Sequence, residues 1–233
     1  MTPSYERALI VGAGSGLSAS LARAFHGAGM RVGLAARGAA KLGALAAELN
    51  AAVAPCDAAD PAAVDALFAA METALGGAPD VVVYNAGMRL RGPFLDLDRK
   101  AVAEALDVLA YGGFLVAQAA ARRMLPAGRG AILLTGASAS VKGYALSAPF
   151  AMGKFALRGL AQSLARELSP QGIHVAHFVI DGAIRNPGRP EPADAPDSLL
   201  DPDAIARSYL HVLQQDRSAW TWEIELRPWT ERF

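Results

Sequence analysis

A glycine cluster near the start of the chain has residue types that could bind a phosphate group. Gly12, Gly14 and Gly16 follow the apolar run Ala8 to Val11, and the segment Leu17 to Gly29 continues with helical spacing of apolar residues. Glycines let the backbone approach a pyrophosphate, while the free N–H groups and the positive end of the helix dipole attract its charge. The third glycine follows the second by two places instead of three, so a tight turn without a ligand is the alternative.

The end of the next predicted strand, Arg31 to Ala36, indicates which cofactor would fit. In a nucleotide-binding unit a carboxylate here bonds the ribose 2′-OH, whereas a cation pairs with a 2′-phosphate. The sequence continues with Arg37 and has no acid at this point. We therefore predict NADP(H), with NAD(H) as the alternative because Ser15 stands where a second basic residue of the glycine turn would be.

The remaining chain alternates strand and helix patterns, which predicts a doubly wound, Rossmann-type α/β fold with one parallel sheet and helices on both faces. We expect a single domain over residues 1–233. The predicted strands are 8–11, 31–36, 51–55, 80–84, 131–135, 173–180 and 220–226. The predicted helices are 17–29, a helix ending near 50, 61–75, 99–125, 149–168 and 202–214.

Composition narrows the classes of partner. The chain has 233 residues, 53% hydrophobic residues and a formal net charge of zero, which gives no electrostatic bias toward nucleic acid or anionic lipid. We expect no signal peptide and no membrane span, and hence a cytoplasmic location. Cys56 is the only cysteine, and His174 and His177 point to opposite faces of a strand, so no metal site is predicted.

A proline-rich segment, residues 184–203, follows the sixth strand and is predicted to be a loop. Its place at the carboxyl end of a strand would suit a substrate lid, and a surface excursion without a role is the alternative. The loops expected around the site are rich in Ala, Gly and Pro and show no charge pair that would demand a carboxylate or phosphate. The substrate therefore stays open.

Over essentially its whole length the chain resembles the short-chain dehydrogenase/reductase family. The turn Gly12 to Leu17 is similar to the family's glycine-rich turn, with Ser18 in place of the final glycine. Asn85-Ala86-Gly87 resembles the motif that steadies the central sheet, Cys56-Asp57 resembles the adenine-contacting Asp, and Lys154 with residues 155–157 resembles the helix of the invariant lysine. The cofactor-binding residues so implied are Gly12, Gly14, Ser15, Gly16, Leu17, Arg37, Asp57, Asn85, Ala86, Gly87 and Lys154.

The same resemblance implies a departure at the catalytic positions. The family's tyrosine lies four residues before the lysine, on the same helix face, and here that position is Phe150. The catalytic serine falls on Ala137 and the asparagine near Leu109. Of the four positions only Lys154 is retained.

Other side chains could replace the missing proton donor. Tyr144 carries the right phenol in the loop before Phe150, although a packed or exposed loop tyrosine is the alternative. Ser138 and Ser140 could hold a substrate oxygen, or could bond their own backbone as turn serines do. Asp181 ends the sixth strand, where it could face a substrate or make a turn before Gly182. The predicted catalytic set is Lys154, Ser138 and Tyr144.

Two function classes follow. The first is an NADP(H)-dependent oxidoreductase that acts on a small-molecule carbonyl or alcohol by an atypical proton route. The second is a nucleotide-binding protein of the same fold without turnover, in a sensing or structural role. The helical regions 99–125 and 149–168 are rich in small residues, so we also expect a homodimer or homotetramer through them.

Overall fold

Seven strands form one parallel sheet in a computed structural model that describes residues 5–231. The strand order is β3-β2-β1-β4-β5-β6-β7. Most strands are short and largely apolar, whereas the edge strand β7 reads Glu-Ile-Glu-Leu, and all neighbouring strands pair in parallel. The strands are β1 (Arg7–Val11), β2 (Arg31–Ala36), β3 (Ala52–Pro55), β4 (Val81–Tyr84), β5 (Gly130–Thr135), β6 (Ile173–Ile180) and β7 (Glu223–Leu226).

Seven α-helices cover both faces of this sheet, which confirms the predicted Rossmann-type α/β fold. They are α1 (Leu17–Gly27), α2 (Gly43–Leu49), α3 (Pro61–Ala74), α4 (Arg99–Leu106), α5 (Gly112–Met124), α6 (Ala148–Leu168) and α7 (Pro202–Leu213). Helices α3, α4 and α7 each begin at an aspartate whose carboxylate accepts a first-turn N–H. Local capping therefore sets where these helices start.

Alternation along the strands divides the core into two layers. In β1, Ile10 points to the layer that contains α1 and α7, whereas Leu9 points to the layer that contains α3, α5 and α6. Both side chains are fully buried. Because both faces of a central parallel strand are buried, β1 and β4 read as nearly continuous hydrophobic runs.

The strand order places a crevice at the carboxyl ends of β1 and β4. β1 lies between β2 and β4, so the connections that leave its two sides run to opposite faces of the sheet. Such a reversal of strand order opens a crevice in which doubly wound sheets bind ligands. The glycine turn follows β1 and the Asn85 segment follows β4, so both lie at this crevice.

The predicted helix 99–125 is interrupted. A π-helical turn, Asp107–Tyr111, separates α4 from α5. Leu109 in this turn is fully buried, and a Cβ built on Gly153 of α6 would lie 2.4 Å from the Leu109 Cβ. Close packing of this turn against α6 therefore requires the glycine beside Lys154.

The helical region Arg99–Ala127 has the length and composition of a membrane span, with a mean hydropathy of 1.3 over 18 residues. Core helices pass the same test, and α5 packs its Val116, Ala120 and Met124 side chains into the layer between the sheet and α3. Only 33% of that window is buried, so one side of the region is left uncovered.

The loop predicted at residues 184–203 is present and is tied back to the fold. Its ends form a bridge between Ile184 and Leu200, and Asn186 and Arg189 form a second bridge within it. The largest shift of an element is at β7, which begins at Glu223 instead of residue 220. Thr221 is held there by the Gln215 side chain, which bonds both its N–H (2.8 Å) and its hydroxyl (3.0 Å).

Candidate active site

The glycine turn after β1 has a backbone that only glycine allows at its first position. Gly12 has a φ of +87°, and a Cβ there would lie 2.3 Å from the Ala86 nitrogen. The N–H groups of Gly12 and Ala13 both donate to the Ala35 oxygen at 2.9 Å. The turn is thus fixed between β2 and the Asn85 segment, and it delivers the chain to the start of α1 at Leu17.

Ser18 joins the glycine turn to the segment after β4. Its hydroxyl donates to the Gly12 oxygen at 3.2 Å, and the Asn85 side-chain amide donates to the Ser18 Oγ at 2.7 Å. The Asn85 N–H also donates to the Val11 oxygen at 2.8 Å. Asn85 therefore steadies the centre of the sheet, and Ser18 supplies a hydrogen bond that glycine at this position could not make.

A first cleft, of about 290 Å³, opens beside the end of β2. Arg37 borders it together with Lys41, which lies in a 3₁₀ turn, Ala39–Leu42. Asp57 also lines it, with its Oδ1 accepting the Ala59 N–H at 3.1 Å. The other residues that line this first cleft include Gly12, Ala13, Gly14, Cys56, Asn85, Ala86 and Gly87. Seven of the eleven predicted cofactor-binding residues thus line this cleft.

A second cleft, of about 440 Å³, begins at Gly16 and Leu17 and ends at α6. Phe150, Ala137 and Ser138 all line it. The loop after β6 contributes Gly182, Ala183, Ile184, Asn186 and Arg189, and the loop after β4 contributes Arg89. The two clefts together follow the start of α1, so an elongated ligand could lie along both with its middle at the helix N-terminus.

Lys154 does not itself border the second cleft, but it lies next to Phe150, which does. It is 5% exposed, its Nζ donates to the Thr135 oxygen at 2.7 Å, and the same Nζ lies 5.9 Å from the Phe150 ring centre. Burial lowers the pKa of Lys154 to about 8. The ammonium therefore gives up a proton much more readily than an exposed lysine, close to the Phe150 ring.

The hydroxyl candidates divide by position. Ser138 borders the second cleft, whereas Ser140 is fully buried and its Oγ accepts the Ala137 N–H at 3.1 Å. Tyr144 is 47% exposed, does not border either cleft, and has its ring 5.9 Å from the Lys142 Nζ. The hydrogen bond to Asp181 is the main cause that raises the pKa of Lys142, and one to Tyr144 adds to it.

Asp181 is neither a simple turn residue nor a free carboxylate. It is 3% exposed, and its Oδ2 lies 3.2 Å from the Lys142 Nζ and 3.4 Å from an Arg227 guanidinium nitrogen. Its expected place facing a substrate is not observed, since it does not border either cleft. The carboxylate instead links the loop after β5 to the loop after β6.

The two histidines of β6 have structural partners. His174 stacks on Trp220 with ring centres 4.5 Å apart, and the His177 Nδ1 lies 3.0 Å from Glu223. Burial lowers the pKa of His177 to about 4, so its ring is neutral near pH 7. Within residues 5–231 no group of three His, Cys, Asp or Glu side chains is placed to hold a metal ion.

Sequence reasoning missed three cations. Lys41 supplies the second basic side chain near Arg37, and Arg89 and Arg189 meet at the second cleft although the loops were expected to bring no charge pair there. Arg89 comes four residues after Asn85, and this closeness to a predicted site residue was the one signal in the sequence that could have placed it at the cleft. Nothing in the local pattern marks Lys41 or Arg189, because their place depends on how distant loops fold over the sheet.

Comparisons with known proteins agree with this architecture. A family model described as enoyl-(acyl carrier protein) reductase matches residues 12–209. The chain is 30% identical over 230 residues to uncharacterized oxidoreductase SA2266 of Staphylococcus aureus (strain N315), covering 95% of this chain and 96% of that protein. It is 35% identical over 133 residues to 17-beta-hydroxysteroid dehydrogenase type 1 of Homo sapiens, covering 57% of this chain and 40% of the human protein.

Solved structures are similar over nearly the whole chain. A short-chain dehydrogenase from Rhodopseudomonas palustris superposes with a TM-score of 0.82 at 33% identity, covering 97% of this chain and 100% of that one. A metagenomic short-chain oxidoreductase in complex with NADP gives a TM-score of 0.81 at 27% identity, covering 96% and 97%. The family model and the oxidoreductase from Staphylococcus aureus cover most of this chain, and the fold agrees with that of these solved structures, so the chain belongs to the short-chain dehydrogenase/reductase family of oxidoreductases.

Proposed function

We propose that the protein is an NADP(H)-dependent oxidoreductase that acts on a carbonyl or alcohol by an atypical proton route. The observation that carries this proposal is that a cleft with two cations, Arg37 and Lys41, continues along the start of α1 to a second cleft beside Lys154. The NADP bound to the metagenomic relative supports the same cofactor. The catalytic positions of the family are occupied here by Phe150, Ala137 and Leu109.

The donor set fits NADP(H). Arg37 and Lys41 would bind the 2′-phosphate, and Asp57 would contact the adenine in the first cleft. The N–H groups at the start of α1, from Ser15 to Leu17, would bind the diphosphate. Gly14 has open space around it, since no atom lies within 4 Å of a Cβ built there. The backbone can therefore approach a diphosphate closely at this point.

The proton route uses groups of this chain. NADPH, when bound, supplies the hydride for the carbonyl carbon. The Ser138 hydroxyl would hold the substrate oxygen, and the Lys154 Nζ would give it a proton through a water beside the Phe150 ring. The loop 184–203 borders the same cleft through Ile184, Asn186 and Arg189, which supports its role as a lid. Tyr144 is the second candidate donor.

Steady-state NADPH oxidation against a panel of aldehydes, ketones and diketones tests the proposal. We expect turnover of at least one class by the wild type. NADPH binding without turnover of any compound would favour the second candidate, a nucleotide-binding protein without turnover, which neither the family match nor the relatives support. If the protein bound neither NADPH nor NADH, both candidate functions would be contradicted.

NADPH should bind about tenfold or more tightly than NADH, because a charge-assisted phosphate contact contributes about 1.5–3 kcal/mol. Arg37→Ala should remove most of that preference, and Lys41→Ala should remove part of it. Nicotinamide fluorescence titration measures both dissociation constants. Lys100→Ala is the control, since Lys100 is 86% exposed and lies outside both clefts. An NADPH preference that persists in the Arg37, Lys41 double variant would contradict the assignment.

We also propose that the protein is a homodimer or homotetramer through α5 and α6. Tyr111, Phe114, Met152 and Phe155 are 42–52% exposed on this side of the molecule. A second copy would cover the uncovered side of the helical region Arg99–Ala127. Light scattering should therefore give at least twice the 24.2 kDa chain mass.

Phe155→Asp should dissociate this assembly, because an unpaired charge in the interface is costly to bury. Val53→Asp is the matched control, since Val53 is 37% exposed on β3, far from α5 and α6 in the strand order. A wild type of about one chain mass at micromolar concentration would exclude the assembly.

A further inference from the structure

Two arginines border the second cleft, where the carbonyl of a substrate would lie. Arg89 comes from the loop after β4 and Arg189 from the loop after β6. The lining residues include no Asp or Glu, and in the described part of the chain neither guanidinium has a hydrogen bond or ion pair. Arg185, in contrast, is held 3.1 Å from Asp201 in the same loop. Two free cations at a cleft indicate that its ligands carry negative charge.

The two arginines lie near different parts of the cleft. Arg189 belongs to a tight turn in which its N–H donates to the Asn186 oxygen at 2.8 Å. A Cβ built on Gly16 would lie 3.7 Å from the Asn186 Cβ, so this turn is beside the start of α1. The cofactor's diphosphate would lie there, and it accounts for Arg189.

Arg89 belongs to the part of the cleft away from the start of α1. Three residues further on, the Gly92 N–H donates to the Leu146 oxygen at 3.0 Å, which joins this loop to the segment just before α6. That segment leads directly to Phe150. Arg89 borders the same cleft as Phe150 and Ser138, and its loop is tied to the segment before Phe150, so we assign it to the part of the cleft where the substrate, and not the diphosphate, would bind.

We propose that Arg89 binds a carboxylate of the substrate, so that the protein reduces oxo acids and, in reverse, oxidises hydroxy acids. This inference rests on the proposed oxidoreductase function. A planar guanidinium matches the two oxygens of one carboxylate with parallel N–H bonds. A phosphate dianion would call for a second cation, and Arg189 is accounted for by the cofactor.

Matched pairs of acids and methyl esters test this assignment, because both members carry the same carbonyl. We would measure NADPH oxidation with 2-, 3- and 4-oxopentanoate and with their methyl esters. At least one acid should exceed its ester in kcat/KM by about tenfold or more, the effect of one charge-assisted pair. Arg89→Ala should remove that preference through KM, while kcat and the Kd of NADPH stay within about twofold. Arg89→Lys should keep part of it.

Two arginine variants serve as controls. Arg91→Ala changes an arginine of the same loop that does not border either cleft, and it should behave as wild type. Arg189→Ala should raise the Kd of NADPH and affect the acid and its ester alike. Esters that equal or exceed their acids, or an Arg89→Ala variant that slows acid and ester equally, would overturn the inference. A phosphorylated ketone preferred to every acid would overturn the choice of carboxylate.

Inactivity toward every acid and ester, while another carbonyl of the panel is reduced, would overturn the inference. Inactivity toward every carbonyl tested would contradict the proposed function, and binding then decides the inference separately. Each hydroxypentanoate and its methyl ester would be titrated by calorimetry into NADP⁺-saturated protein. Binding of the acid but not the ester, lost in Arg89→Ala, would support the carboxylate site. Equal binding of both, no binding of either, or binding that Arg89→Ala leaves unchanged would overturn it.

Discussion

Lys154→Met is expected to lower kcat for carbonyl reduction by about 10²–10⁴-fold, the range for removing a positioned general acid. Lys154 is 5% exposed, and its Nζ donates a hydrogen bond to the Thr135 oxygen. Methionine is a close match in length and is suited to a buried site, so the variant removes the ammonium with little loss of packing. Steady-state kinetics with saturating NADPH measures the effect, and circular dichroism checks the fold.

The pH profile of the wild type tests the same role without a mutation. The acid form of Lys154 exists below its pKa, which burial lowers to about 8. Reduction should therefore be independent of pH well below 8, and kcat/KM should fall about tenfold per pH unit above it, because kcat/KM reports ionisations of the free enzyme. Alcohol oxidation should show the opposite trend, since it needs the neutral amine.

Tyr144→Phe separates the two candidate donors. Tyr144 lies against Lys142 and does not border the cleft, so we expect this change to alter kcat much less than Lys154→Met does. A loss of about 10²-fold in Tyr144→Phe, with Lys154→Met close to wild type, would transfer the donor role to Tyr144. A reduction profile that is flat well beyond pH 8 would also contradict the Lys154 route.

Phe150→Tyr combined with Ala137→Ser is expected to raise kcat by about 10²-fold or more, because a positioned phenol and an oxygen-holding hydroxyl each contribute on that order. Both positions border the second cleft, and the Lys154 Nζ lies 5.9 Å from the Phe150 ring centre. The nearby ammonium would lower the pKa of the new phenol. Phe150→Tyr alone should give a modest gain, since the two groups act as a unit.

Phe155→Tyr is the matched control for this pair, because Phe155 is on the same helix, is 44% exposed and does not border the cleft. The double variant should exceed the product of the two single effects. Activity of the double variant together with a wild type that turns over nothing would favour the nucleotide-binding protein without turnover. Equal rates in wild type and double variant would show that Phe150 and Ala137 are not at the reacting atoms.

The order of strands and helices could be predicted from the sequence because its signals are local. The apolar runs of β1 and β4 and the aspartate caps of α3 and α7 each depend on neighbouring residues only. The spacing of Phe150 and Lys154 on one helix face is local in the same way. The predicted departure from the family pattern at Phe150 therefore needs nothing beyond the order of the residues.

Contacts between distant segments could not be predicted in this way. The Ser18 to Asn85 hydrogen bond joins residues 67 positions apart, and the ion pair of Asp181 with Lys142 joins residues 39 apart. The π-helical turn at Leu109 depends on close packing against Gly153 of another helix. These features arise from packing geometry, which hydrophobic periodicity does not encode.

The sequence by itself determined the fold class, the order of the glycines in the turn, and the spacing that puts Lys154 and Phe150 on one helix face. Only the tertiary structure decided which cations share a cleft: Arg37 with Lys41 at the end of β2, and Arg89 with Arg189 at the carboxyl ends of β4 and β6. The physical reason is the strand order, which brings the ends of β1, β4, β5 and β6 together although long helices separate them along the chain.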